Sequence, residues 1–169
     1  MYTVYTDGGS RGNPGKSAYG VVVTLDGRIV CEASEFLGVH TNNYAEYRGL
    51  IAGISKVLEL GGRKAEFVMD SQLVIRQMTG QYKVRSPDMI PLHEDARALA
   101  SLIPEVSFRN VRRSEELIPR ADALVNAVLD RNRFHLYTDE MTVGHGRRNS
   151  HRGGEPHQEL WRLHRDIRH

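Results

Sequence analysis

Asp26-Gly27 stands between two runs of strand-forming residues, Ala18–Leu25 and Arg28–Phe36. That dipeptide tolerates the left-handed backbone of a two-residue turn, so the two runs are expected to pair as an antiparallel hairpin. Val21-Val22-Val23 in the first run is apolar on both faces of the pleat, the pattern of a strand covered above and below. A sheet covered on both faces needs helices, and the rest of the chain supplies them. Tyr2–Thr6 alternates like a strand, which Asp7-Gly8-Gly9 is expected to end, with a loop through Gly12, Pro14 and Gly15. Thr41 or Asn42 caps a helix to about Leu60, with Leu50, Ile51, Ile54, Val57 and Leu58 at helical spacing and Gly61-Gly62 as its stop. Ala65–Met69 reads as a short strand, Ser71–Met78 as a short helix, and Gly80–Pro87 as a loop. Pro91 opens a helix that Pro104 stops, Glu105–Val111 reads as a strand, and Pro119 opens a last helix to about Asn132. The order βββαβααβα predicts an α/β fold, a mixed sheet flanked by helices.

The 169 residues suffice for one domain with a proper core. No apolar run approaches the ~20 residues of a membrane span, and Met1 leads straight into a strand pattern, so a cytoplasmic, monomeric protein without a leader is expected. A single cysteine, Cys31, excludes an intrachain disulfide and a cysteine-cluster zinc site. The net charge of +2 neither demands nor forbids nucleic acid. From Thr138 the character changes: His145, His151, His157, His164 and His169 fall among arginines and glycines. We therefore divide the chain into a domain over 1–137 and a His/Arg-rich tail over 138–169, with a possible short helix at Glu159–Arg168 around Trp161. The tail is expected to be solvated, or to contact a protein partner or nucleic acid.

Four carboxylates stand in unusual places. Asp7 and Asp70 each follow a short apolar strand, the edge at which open α/β sheets bind ligands, although turn and cap roles suit them equally. Glu46 shares the apolar stripe of its helix with Leu50 and Ile54, where a lone charge needs a partner. Asp122 repeats this with Val125 and Leu129, in the first turn of its helix. If the four converge, their repulsion calls for hard divalent cations with oxygen ligands, Mg²⁺ or Mn²⁺. Two such ions about 4 Å apart suit in-line phosphoryl chemistry.

The segments around these acids carry a resemblance. Thr6-Asp7-Gly8-Gly9-Ser10-Arg11-Gly12-Asn13-Pro14-Gly15, Thr41-Asn42-Asn43-Tyr44-Ala45-Glu46-Tyr47, Met69-Asp70-Ser71-Gln72 and Arg120-Ala121-Asp122-Ala123-Leu124 resemble type 1 ribonuclease H in order and spacing, over residues 1 to about 132. The likeness is to compact prokaryotic members. It implies a five-stranded mixed sheet in the order 3-2-1-4-5 and an endonuclease that hydrolyses the RNA strand of RNA–DNA hybrids, leaving 5′-phosphate and 3′-hydroxyl ends. It further implies that Asp7, Glu46, Asp70 and Asp122 are catalytic carboxylates holding two Mg²⁺ ions, with Mn²⁺ as a substitute. Gly8, Gly9, Ser10 and Asn13 would let the backbone approach the minor groove, where 2′-hydroxyls distinguish RNA from DNA. Asn43 and Gln72 resemble minor-groove contacts of the family, and Thr41 and Asn42 stand where it holds a DNA phosphate.

The chain also departs from that pattern. Val111 to Ala121 contains no histidine, where many relatives carry one. Arg112 or Arg113 is expected to hold a phosphate or the product there, since arginine cannot serve as a base near neutral pH. Ile118 replaces a frequent asparagine, and His93 and His135 read as surface residues. The long basic handle of some relatives is missing, leaving Lys83 and Arg85 in the loop before Pro87. Docking should then depend on Arg11, Lys16 and the Arg109–Arg120 stretch, with a modest salt dependence. No N-terminal hybrid-binding module is expected. Two alternatives stay open: activity on double-stranded RNA as well, and a non-catalytic hybrid-binding module with the tail as its partner contact.

Overall fold

The computed structural model describes the backbone of residues 1–142 and side chains through Arg133. The tail beyond, with the Glu159–Arg168 segment, and the side chain of His135 lie outside the described residues. In chain order the elements are β1 (Tyr2–Gly12), β2 (Gly15–Leu25), β3 (Arg28–His40), α1 (Asn42–Glu59), β4 (Lys64–Met69), α2 (Gln72–Met78), α3 (Ile90–Ala100), β5 (Glu105–Asn110) and α4 (Ile118–Thr142). The five strands form one sheet in the order β3-β2-β1-β4-β5. β1–β2 and β2–β3 pair antiparallel, while β1–β4 and β4–β5 pair parallel.

Local chemistry accounts for most element ends. Leu25 pairs with Arg28 across Asp26 and Gly27, whose φ values of 51° and 83° are those of a two-residue hairpin turn with both central residues left-handed. Thr41 Oγ1 accepts from the Tyr44 amide and Ser71 Oγ from the Val74 amide, so both helices begin on side-chain caps. Gly61, at φ 74°, follows the end of α1. Pro91 occupies the first turn of α3.

α1 and α3 cover one face of the sheet and α4 the other. Val21 and Val23 accordingly join the α1-side core with Val4, Leu50, Ile54 and Phe67, whereas Val22 packs with Tyr5, Val68, Ile118 and Ala121 beneath α4. All three valines are fully buried, as a doubly covered strand requires. Ile118 is fully buried too, an apolar anchor for the start of α4.

Several element ends and the reading of His93 need correction. β1 does not end at Asp7-Gly8-Gly9 but runs on to Gly12, and β2 starts at Gly15, because Gly8, Gly9, Ser10 and Arg11 ladder with Tyr19, Ala18, Ser17 and Lys16. Cross-strand pairing overrides the poor strand propensity of glycine there. β3 likewise extends past Phe36 to His40, and α4 runs past Asn132 to Thr142. His93 is not a plain surface residue: it is half-buried, with Nε2 3.1 Å from the Gln77 carbonyl and its ring edge-on to Tyr47. Among the described residues no helix is long and apolar enough to cross a membrane.

Candidate active site

The parallel ladder between β1 and β4 stops at Tyr5–Val68, yet β1 continues outward with β2 alone. This opens the sheet at the carboxyl end of β4. Asp7 lies on β1 just beyond the break and Asp70 directly follows β4, so these two acids flank the opening. The end of β4 is sealed by the Val111 amide and the Asn110 side chain, both donating to the Met69 carbonyl at 2.9 and 3.1 Å.

Glycines bring the helices in. A Cβ on Gly8 would lie 2.3 Å from the Ala45 carbonyl carbon and 2.4 Å from the Glu46 amide nitrogen. Only a glycine strand lets the first turns of α1 sit this close, and that contact delivers Glu46 to β1. On the other face, a Cβ on Gly20 would fall 2.3 Å from the Ala121 carbonyl oxygen, and this approach carries Asp122 in. The four carboxylates thus reach one cleft of about 570 Å³ from two strand ends and two helix starts.

Their electrostatics show how closely they meet. The Asp7 carboxyl is pushed up to about 8, first by burial, then by the Asp70 charge, a hydrogen bond shared with Asp122, and the charges of Asp122 and Glu46. Glu46 is pushed up to about 7 by burial and Asp70, while a hydrogen bond from Ser71 pulls it back. Burial also raises Asp70, and the Arg113 guanidinium opposes that shift. Arg113 Nη2 lies 3.5 Å from Asp122 Oδ1.

Several other predicted residues share the cleft: Gly8, Gly9 and Ser10 on β1, Asn42 and Asn43 at the start of α1, and Gln72 opening α2. Asn42 Oδ1 accepts from the Ser10 amide at 2.8 Å and the Ser10 hydroxyl at 2.9 Å, which locks the β1 extension onto the head of α1. The rest lie elsewhere. Asn13 turns to the Asn42 amide, and Thr41 is occupied as the α1 cap beside a separate groove with His40 and Tyr44. Arg112 is 88% exposed and faces Glu115 rather than the cleft.

The expected phosphate-docking arginines are also committed. Arg11 pairs with Asp130, Arg109 with Glu66 and Glu116, and Arg120 with Glu32. Sequence reasoning missed Ser71, which both caps α2 and hydrogen-bonds Glu46, and Asn126, whose amide donates to Asp122 Oδ2 at 3.3 Å. The latter sits four residues after Asp122 on one helix, a spacing that signals contact.

The donor set suits hard divalent cations: four carboxylates line an open cleft, with more negative charge than Arg113 offsets. Among the described residues no three acidic, imidazole or thiol groups stand close enough together to hold a metal ion by themselves. Mg²⁺ does not require three such groups, since it keeps several waters and takes one or two carboxylates plus substrate phosphate.

The model of the reverse transcriptase-like family matches residues 5–128. The bifunctional protein Rv2228c of Mycobacterium tuberculosis is 44% identical over 129 residues, 75% of this chain and 35% of that protein. Ribonuclease HI of Halobacterium salinarum is 42% identical over 127 residues, 75% of this chain and 63% of its own length. The chain therefore spans about a third of the first relative and less than two thirds of the second. Among solved structures, LC11-RNase H1 in complex with an RNA/DNA hybrid superposes with a TM-score of 0.73 at 36% identity, covering 78% of this chain and 98% of that one.

Proposed function

Since the chain belongs to the reverse transcriptase-like family, among its ribonuclease H proteins, we propose that it is a metal-dependent endonuclease that hydrolyses the RNA strand of RNA–DNA hybrids. The observation that carries this reading is the convergence of Asp7, Glu46, Asp70 and Asp122 on one open cleft. The complex of LC11-RNase H1 with a hybrid supports the substrate. We take the protein as a cytoplasmic monomer; its one cysteine, Cys31, is free.

Asp7, Glu46, Asp70 and Asp122 would hold two Mg²⁺ ions, or Mn²⁺ in their place. When bound, such a pair supplies activation of the attacking water and neutralisation of charge on the leaving oxygen, which gives 5′-phosphate and 3′-hydroxyl ends. The chain itself does the positioning. Burial and neighbouring acids raise Asp7 and Glu46 toward the neutral form, so opposing charge at the cleft would favour their ionisation. Gly8 and Gly9 expose bare backbone, with Ser10, Asn42, Asn43 and Gln72 as short polar groups beside it. Such a surface suits the wide minor groove and the 2′-hydroxyls of the RNA strand. Arg113 is the side chain we assign to a phosphate oxygen at the cleft, in the segment where a histidine is absent. Asn13 and Thr41 act by fixing the head of α1, whereas Arg112 is turned to Glu115.

The test is cleavage of an end-labelled RNA–DNA hybrid in Mg²⁺, beside an Asp70→Asn variant, an EDTA control and an RNA duplex. RNA-strand cutting that disappears in both controls is the expected result. A hybrid that is bound but stays intact in Mg²⁺ and in Mn²⁺ would leave a binding module instead.

A further inference from the structure

One segment, between β5 and α4, places a side chain in the cleft, and its shape depends on a residue that does not line the cleft. Glu116 has a φ of 52°, a left-handed backbone that a residue with a side chain adopts only at a cost. Such a conformation persists where the surroundings over-determine it. Here the surroundings are two strands. Arg109 of β5 grips both carboxylate oxygens, Nη1 to Oε2 at 2.6 Å and Nη2 to Oε1 at 3.0 Å, and Tyr5 of β1 donates to Oε1 at 3.1 Å. Arg109 is itself held by Glu66 of β4 through Nε at 3.0 Å. One carboxylate so ties the segment to β1 and β5, and through Arg109 to β4.

What this secures lies three residues back. Arg113 lines the cleft and meets Asp122, although its side chain is 77% exposed. An exposed arginine on a flexible stem gains little from such a pair, so the contact alone does not hold it there. The backbone does. The Val111 amide pins one end of the segment to Met69, a turn from the Arg112 carbonyl to the Glu115 amide closes the middle at 3.0 Å, and Glu116 pins the other end. Arg11, the other arginine lining the cleft, is engaged by Asp130 at 2.7 Å.

We propose that Glu116 is a positioning residue: locked left-handed by Arg109 and Tyr5, it sets the backbone from which Arg113 reaches the carboxylate cleft to meet a phosphate oxygen of the nucleic acid. The phosphate contact rests on the nuclease reading above; the placement of Arg113 does not.

The test uses Glu116→Gly, which keeps the left-handed backbone but removes the carboxylate, and Glu116→Gln, which keeps acceptor capacity. Each is made alone and with Arg113→Met. Hybrid cleavage gives kcat and KM. The Arg113 Nη–H resonance in metal-free protein, identified by its loss in Arg113→Met, reports the contact of Nη2 with Asp122 without any reaction. Glu116→Gly should lower kcat about tenfold with KM within about twofold, and move that resonance to the position of an unpaired arginine. Glu116→Gln should recover most of both, and melting temperatures establish that the variants fold. In the Arg113→Met background, Glu116→Gly should change kcat by less than about twofold. An equal loss in both backgrounds, or an unmoved Arg113 resonance in Glu116→Gly, would overturn the proposal. Should the unaltered chain fail to cut a hybrid, the nuclease reading falls, while the resonance still shows whether Glu116 holds Arg113.

Discussion

At Asp7, one carboxyl group carries much of the tension of the cleft. Burial and neighbouring acids hold its folded pKa near 8, against an ordinary value close to 4. A carboxyl raised on folding contributes stability at acid pH and loses it as pH rises through the folded value. Metal-free protein should therefore melt at falling temperature between about pH 5 and pH 8. Asp7→Asn should flatten that slope and raise stability at pH 8 by ~2 kcal/mol, while abolishing hybrid cleavage. Thermal melts in EDTA at the two pH values check this, and an unchanged slope in the variant would refute it. The four acids were legible because two followed strands and two interrupted apolar stripes. Asn13 and Arg112 were not, since their directions depend on what lies opposite: the Asn42 amide for one, Glu115 for the other.

Among the elements, the seam between β1 and α1 determines whether those acids meet. Gly8 leaves no room for a Cβ, whereas one on Gly9 would find nothing nearer than the Val125 side chain at 3.9 Å. Gly8→Ala should cost about 1–3 kcal/mol and lower kcat, because α1 and Glu46 must retreat together. Gly9→Ala should leave the melting temperature within a degree or two and act on KM alone, since that residue lines the cleft. Equal destabilisation by both would show that helix approach is not the limiting contact. The hairpin turn at Asp26-Gly27, the cap at Thr41 and the stop at Gly61 were readable because each acts within one turn of chain. The extension of β1 through its glycines was not, because the ladder that holds it comes from Ser17, Ala18 and Tyr19.

At the scale of the whole molecule, several described arginines that could dock nucleic acid are held in ion pairs within the protein. Arg11, Arg109 and Arg120, which the sequence offers as phosphate contacts, are ion-paired, and the net charge is only +2. Hybrid binding should then follow few phosphate contacts, with log K falling against log salt at a slope of about −2 to −3. Fluorescence anisotropy with Asp70→Asn in EDTA, across a salt series, measures it. A slope steeper than about −5 would mean that these arginines abandon their partners for the nucleic acid.

The order of strands and helices, the hairpin and cap residues, the doubly buried valines of β2 and the identity of the four acids all follow from the sequence alone. Each is encoded by neighbours within a pleat or a helical turn, where periodicity and local backbone preference dominate. Only the tertiary structure could decide how far β1 and β2 run, why Glu116 is left-handed, which arginines line the cleft, and that Asp7, Glu46, Asp70 and Asp122 meet in one opening. Those outcomes depend on contacts between residues far apart in the chain, such as Tyr5 with Glu116 and Arg120 with Glu32, whose energies no local pattern carries.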